Sequence, residues 1–176
     1  MSSMHEAALP FETYYQIIYA KTAALFAAAC QIGALATEQP VPIVQAMANY
    51  GTYLGVAFQM MDDVLDYTAK EAELGKALGD DFREGKVTLP VILAYQRSSA
   101  EDKRALTAMF TPEGAENPDH WQALQALLAR YNVAAEASHV ITDYIARAKT
   151  SLASLPTTTA RGSLEDVLDF IANRCY

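Results

Sequence analysis

The chain has 176 residues, a formal net charge of −8 and only eight glycines and seven prolines. This length is sufficient for one domain with a buried core. The negative charge excludes a protein that binds nucleic acid through clustered lysines and arginines, and it disfavours docking on anionic lipid.

Helical periodicity predicts an all-α helical bundle, a single all-helical domain over residues 1–176 with a disordered start at residues 1–10. In chain order, we predict helices at residues 11–37, 43–67, 88–96, 117–130, 133–153 and 162–174. A further helix is predicted to begin at a capping box that starts with Ser99. Tyr50, Leu54, Phe58 and Met61 form a stripe that we expect to face the core. Residues 68–86 and 111–117 are predicted to be loops.

The longest apolar stretch, residues 22–36, is interrupted by Gln31 and rich in alanine. It predicts a buried core helix rather than a transmembrane segment, and no signal peptide is indicated. Cys30 and Cys175 lie far apart without metal-ligand spacing. We therefore expect a cytoplasmic protein with reduced, structural cysteines.

The second long helix that we predict contains three carboxylates within a stretch of five residues. Asp62 and Asp66 are four residues apart, with Asp63 between them, so a helix would turn the first and last toward one face. Carboxylate oxygens suit Mg²⁺, which takes one or two of them together with waters and phosphate oxygens. The alternative is an acidic helix surface that binds nothing.

The glycine-rich loop that follows adds cations and further acids. It contains Lys76, Asp80, Asp81, Arg83 and Lys86. Ammonium groups close to a bound magnesium ion suit a ligand with several anionic oxygens, which favours a diphosphate. The alternative for these charges is a solvated linker.

Three blocks of the sequence resemble the trans-isoprenyl diphosphate synthases, and most of all the bacterial long-chain octaprenyl and decaprenyl branch. The blocks are Ile18-Tyr-Ala-Lys21-Thr22-Ala-Ala-Leu-Phe26, then Gly55-Val-Ala-Phe-Gln59-Met-Met-Asp62-Asp63-Val-Leu-Asp66-Tyr67, then Leu74-Gly-Lys76-Ala-Leu-Gly79-Asp-Asp81-Phe82-Arg-Glu-Gly-Lys86-Val-Thr-Leu-Pro90. Their order is that of the family, with Phe82 where leucine is more usual. The resemblance implies the C-terminal half of the isoprenoid synthase fold.

The resemblance also implies a role for each matching residue. Metal ligands would be Asp62, Asp63 and Asp66, holding Mg²⁺ directly or through water. Contacts to diphosphate would come from Lys21, Lys76 and Lys86, and catalytic residues near the reacting carbons would be Lys21, Thr22, Gln59 and Asp62. Gly79 would allow a tight turn, and Asp81 together with Lys86 would order the loop that closes over the site.

The implied reaction condenses an allylic prenyl diphosphate with isopentenyl diphosphate. Family members are longer than this chain, and their first aspartate-rich motif precedes the Lys21 helix, so we expect this chain to start near the middle of the fold. We therefore expect no prenyl transfer by the chain alone, and either a homodimer or a complementing synthase subunit. A non-catalytic regulatory subunit and a terpene-cyclase relative are the alternatives.

Overall fold

The computed structural model of the chain describes residues 7–68 and 78–173, and within these ranges every regular element is helical. The all-α prediction is confirmed. The helices are α1 (Phe11–Ile18), α2 (Ala24–Ala36), α3 (Val41–Thr68), α4 (Asp80–Arg83), α5 (Leu89–Arg97), α6 (Ala100–Met109), α7 (Pro112–Ala115), α8 (Pro118–Arg130), α9 (Val133–Ser151) and α10 (Thr159–Ala172). A 3₁₀ turn, Leu152–Ser154, follows α9.

The first two helices are joined by a π-helical turn, Tyr19–Ala23, so they form one continuous helix from Phe11 to Ala36. A π turn holds one extra residue and is often found at functional sites. This turn contains Lys21 and Thr22 of the predicted site.

Two short helices lie inside segments that we predicted as loops. Helix α7 lies within residues 111–117, where the Thr111 hydroxyl accepts the N–H of Gly114 and Pro112 occupies the first turn. Helix α4 lies within residues 68–86. The predicted cap at Ser99 is confirmed, because its side chain accepts the N–H of Asp102.

The prediction of a buried core helix at residues 22–36 is wrong. The helix Phe11–Ala36 has 26 residues and a mean hydropathy of 1.4 over its most apolar window, and only 22% of that window is buried. By length and composition alone this helix could cross a membrane, a test that core helices of soluble proteins also pass.

The chain divides into two compact units, and the boundaries fall inside α1, α3 and α9. The first unit comprises Met1–Tyr14 and Asp62–Ala137, and the second comprises Tyr15–Met61 and Ser138–Tyr176. Ala7 and Leu9, within the segment that we expected to be disordered, are buried.

In the first unit, aromatic rings form the centre of the packing. The Trp121 ring lies 5.9 Å from the Phe82 ring and 5.8 Å from the Tyr67 ring, measured between centroids. Phe82 also meets Phe110 edge to face at 5.4 Å. This cluster joins the end of α3, the short helix α4 and helix α8.

In the second unit, two glycines of α3 let the helix Phe11–Ala36 approach closely. A Cβ atom on Gly51 would lie 2.4 Å from the carbonyl oxygen of Phe26, and one on Gly55 would lie 2.6 Å from the Cα of Ala23. Since no real Cβ tolerates such distances, the contact requires glycine at both positions. It holds the π turn against α3.

The predicted core stripe of α3 is correct at three positions and wrong at the fourth. Tyr50, Leu54 and Met61 are buried, whereas Phe58 is 44% exposed with one side of its ring against Phe26. Among the residues that the structure describes, Phe58 belongs to a larger set of exposed, large apolar side chains, all of which lie in the second unit: Ile17, Tyr19, Leu25, Ile32, Leu35, Val41, Phe58, Val167 and Phe170.

Candidate metal and diphosphate site

The three aspartates of α3 differ in their surroundings. Asp62 is exposed, whereas Asp63 and Asp66 retain only 4% and 2% of their accessible surface. Among the residues that the structure describes, no group of three or more His, Cys, Asp or Glu side chains is gathered closely enough to hold a metal ion. The carboxylates therefore do not form a ready-made cage.

The Asp63 carboxylate is held by a tyrosine from the start of the chain. The Tyr14 hydroxyl donates to Asp63 Oδ2 over 2.7 Å, and both side chains are buried in the first unit. A buried carboxylate without hydrogen bonds would be costly, so this contact stabilises the charged group in place. Sequence reasoning missed this role of Tyr14, because the two residues are 49 positions apart and no local pattern links them.

Asp66 ties the glycine-rich loop to the aspartate helix. Its Oδ2 accepts the N–H of Asp81 over 3.0 Å, and its backbone carbonyl accepts the N–H of Gly79, also over 3.0 Å. Both bonds lie within the first unit. The third aspartate therefore fixes the start of α4 and, with it, the position of Asp81.

Gly79 has a geometry that no other residue supplies without strain. Its φ is 78°, in the left-handed region, and a Cβ atom there would lie 2.8 Å from the ring of Trp121. Gly79 is the residue that caps the start of α4, and the indole ring packs directly against its backbone. Trp121 is the single tryptophan of the chain.

Lys86 closes the described part of the loop. Its N–H donates to the carbonyl of Asp81 over 2.8 Å, and its ammonium group forms ion pairs with Glu84 and, at 3.4 Å, with Asp81. The hydrogen bond to Glu84, followed by the Asp81 charge, raises the pKa of Lys86 above its usual value. Lys76, the other predicted loop contact, lies outside the described residues.

Thr22 and Gln59 meet in the second unit. The Thr22 hydroxyl donates to Gln59 Oε1 over 2.7 Å, which leaves the lone pairs of the hydroxyl oxygen available to a ligand. Lys21 is exposed in the same π turn. The close approach of α3 at Gly55 makes this contact possible.

Tyr67, the last residue of the second motif block, lies immediately after Asp66. Its hydroxyl is buried, and burial, reinforced by the charges of Asp81, Asp66 and Asp63, raises the pKa of Tyr67 well above its ordinary value. The phenol therefore stays protonated beside the aspartates.

The side chains present fit Mg²⁺ in one specific way. Asp62 offers an exposed carboxylate, while Asp63 and Asp66 each use a carboxylate oxygen in a hydrogen bond to the protein. Such a set suits an ion bound through one or two carboxylates with waters and phosphate oxygens, and it does not suit an all-protein cage.

Comparison with known proteins places these residues in a family. Residues 1–128 match the polyprenyl synthetase family. Heptaprenyl diphosphate synthase component 2 of Geobacillus stearothermophilus is 40% identical over 168 residues, which is 95% of this chain and 51% of that protein. The chain thus spans about half the length of the curated relatives it matches.

Solved structures agree with this match. A decaprenyl diphosphate synthase from Rhodobacter capsulatus superposes on 99% of this chain with a TM-score of 0.90 and 33% identity, and 53% of it is covered. A polyprenyl synthase from Caulobacter crescentus, crystallised with calcium and isoprenyl diphosphate, gives a TM-score of 0.89 and 36% identity over 98% of this chain, and 52% of it is covered. This chain, with its aspartate helix and glycine-rich loop, therefore belongs to the polyprenyl synthetase family.

Proposed function

We propose that this chain supplies one half of the magnesium–diphosphate site of a polyprenyl diphosphate synthase. The reaction would join an allylic prenyl diphosphate to isopentenyl diphosphate. The observation that carries the proposal is the double attachment of the loop to Asp66, through Gly79 and Asp81. Because the loop is hydrogen-bonded to the helix that carries the aspartates, its acids and its lysine are held close together, as binding of a metal-bound diphosphate requires.

The residues of the first unit would orient the leaving group. When bound, Mg²⁺ would supply positive charge that stabilises the departing diphosphate. Asp62 would hold the ion through its exposed carboxylate, and the hydrogen bond from Tyr14 would fix the position of the Asp63 carboxylate. Lys86 would add positive charge at the loop, where Asp81 sets its position.

The residues of the second unit would serve the reacting carbons. Because the Thr22 proton is committed to Gln59, the Thr22 oxygen can offer lone pairs to the developing allylic cation. Lys21, in the same π turn, would contact diphosphate. Gln59 precedes Asp62 by three positions on helix α3.

The Caulobacter relative supports a divalent cation and an isoprenyl diphosphate as ligands, since it was crystallised with calcium and isoprenyl diphosphate.

A second candidate function is a regulatory subunit of a hetero-oligomeric synthase. The observation that favours it is the name of the Geobacillus relative, which designates one component of an enzyme. A homodimer is a further proposed assembly, and we place the protein in the cytoplasm.

The test is a calorimetric titration with Mg²⁺, with and without pyrophosphate, of the parent and of Asp62→Ala. We expect pyrophosphate-dependent magnesium binding by the parent and its loss in Asp62→Ala. Asp143→Ala, which removes an exposed carboxylate from α9, is the control and should bind as the parent does. Identical traces for the parent and Asp62→Ala would refute the proposal and leave an acidic surface.

A further inference from the structure

Two hydroxyl groups of the first unit are buried without a hydrogen bond to any residue that the structure describes. Tyr67 retains 5% of its accessible surface and Thr88 retains 8%. Burying a hydroxyl without a hydrogen bond costs free energy, whereas phenylalanine and valine would fill nearly the same space without that cost. The unliganded chain therefore gains no stability from either hydroxyl group.

Thr88 occupies a position where a hydroxyl group normally serves its own helix. It is the N-cap of α5, and an N-cap threonine commonly accepts an N–H of the first helical turn. Thr111 and Thr158, the N-caps of α7 and α10, both do so. Thr88 accepts none of the described N–H groups of α5. Its hydroxyl is thus available to another group of the first unit.

The surroundings of Tyr67 show which groups these are. Burial raises the pKa of Tyr67, and the neighbouring hydroxyl of Thr88 opposes that shift. The charges of Asp81, Asp66 and Asp63 raise the pKa further. The two hydroxyl groups therefore lie beside each other and close to three carboxylates of the candidate site. All of these residues belong to the first unit.

We propose that the hydroxyl groups of Tyr67 and Thr88 position the carboxylates of Asp66 and Asp81 for binding of a metal-bound diphosphate. A bound divalent cation attracts carboxylate oxygens, so the acids around it rearrange their hydrogen bonds. A hydroxyl group rotates to donate wherever the acceptor lies, and donors behind metal-binding carboxylates orient them. The proposal rests on the proposed function and names two positioning residues of the same site.

The test measures magnesium binding and stability after removal of each hydroxyl group. Mg²⁺ is titrated calorimetrically into the full chain with pyrophosphate, for the parent, Tyr67→Phe and Thr88→Val. We expect each variant to bind about 10-fold more weakly than the parent, as is typical when a group that supports a metal ligand is lost. The midpoint of urea unfolding without ligand should stay at or above that of the parent, because no hydrogen bond to a described residue is removed.

Two further variants serve as controls. Thr88→Ser keeps the hydroxyl group and should bind magnesium as the parent does. Tyr131→Phe removes a hydroxyl group of the first unit that donates to Asp102 over 2.6 Å. This variant should unfold at a lower urea concentration and should bind magnesium normally, which is the opposite of the pattern expected for Tyr67→Phe.

Two results overturn this inference when the parent binds magnesium with pyrophosphate. One is unchanged binding by either Tyr67→Phe or Thr88→Val. The other is a lower unfolding midpoint of these variants, which would show that the hydroxyl groups, alone or through a bound water, support the unliganded fold. A parent without pyrophosphate-dependent magnesium binding would instead refute the proposed function, and the inference would fall with it.

Discussion

The two units of this chain differ in how completely they bury their apolar side chains. In the first unit, Phe82 and Phe110 are buried, Trp121 packs against the turn at Gly79, and the carboxylates of Asp63 and Asp66 have hydrogen-bond partners within the unit. Among the described residues of the second unit, Leu25 and eight other large apolar side chains are exposed. The difference indicates that the first unit covers its own apolar side chains, while the second unit leaves an apolar surface exposed.

The largest effect is expected where the second unit is most tightly packed. Gly55→Ala should reduce the free energy of unfolding by about 3 kcal/mol, because the new Cβ would meet the Ala23 backbone at 2.6 Å. Gly33→Ala is the matched control, since no atom lies within 4 Å of its Cβ position, and it should stabilise the helix by about 0.5–1 kcal/mol. Urea unfolding measures both, and equal stabilities would contradict the close approach of the helices.

A similar change in the first unit should act on the loop. Gly79→Ala should cost about 2.5 kcal/mol, because alanine is strained at positive φ and its Cβ would displace the Trp121 ring. The fluorescence of Trp121, the only tryptophan, should change in the folded state. Gly162→Ala, at a position with open space, should leave the spectrum unaltered, and a Gly79→Ala spectrum identical to that of the parent would show that the contact is absent.

The tyrosine behind Asp63 provides the next test of the first unit. Tyr14→Phe should lower the free energy of unfolding by about 2 kcal/mol, because a buried carboxylate loses a charge-assisted hydrogen bond. Tyr19→Phe makes the same chemical change at an exposed position of the same helix and should stay within about 0.5 kcal/mol of the parent. Denaturant unfolding compares the two, and matching values would mean that Tyr14 does not support Asp63.

The smallest effect concerns Asp102 in the first unit, and it should be present near neutral pH and fade in acid. The hydrogen bond from Tyr131, with smaller contributions from Ser99 and Arg130, lowers the pKa of Asp102 below its ordinary value of 3.8. This stabilisation is present above pH 3.8 and is lost as the pH falls through the lower pKa of the folded state. Asp102→Asn should therefore be less stable than the parent near neutral pH, and the difference should shrink in acid. A difference that grows on acidification would contradict the assignment.

The sequence predicted those features that depend on local spacing. The helices around Lys21 and Asp62 follow from hydrophobic periodicity, and the cap at Ser99 follows from its neighbours. The partner of Asp63 could not be predicted, because Tyr14 reaches it only through the tertiary fold. The exposure of Phe58 was missed for a related reason, since periodicity shows that a face is apolar but not what covers it.

For most residues of the site, the contacts to a ligand remain predictions. The structure groups Thr22 with Gln59, and Asp66 with Asp81, by direct hydrogen bonds. It also gives Asp66 a supporting role toward the loop that the motif alone did not indicate. The diphosphate contacts of Lys21 and Lys86 rest on the resemblance, and Lys76 lies outside the described residues.

The central proposal is that this chain holds one half of a prenyl transfer site and needs the complementary half, meaning the part of its relatives that this chain does not match, for turnover. The most direct measurement is the formation of prenyl product from farnesyl and isopentenyl diphosphates with Mg²⁺, by this chain alone and in the presence of the complementary half from the Geobacillus relative. We predict no product from the chain alone and chain elongation once the complementary half is added. Product formed by the chain alone would contradict the account.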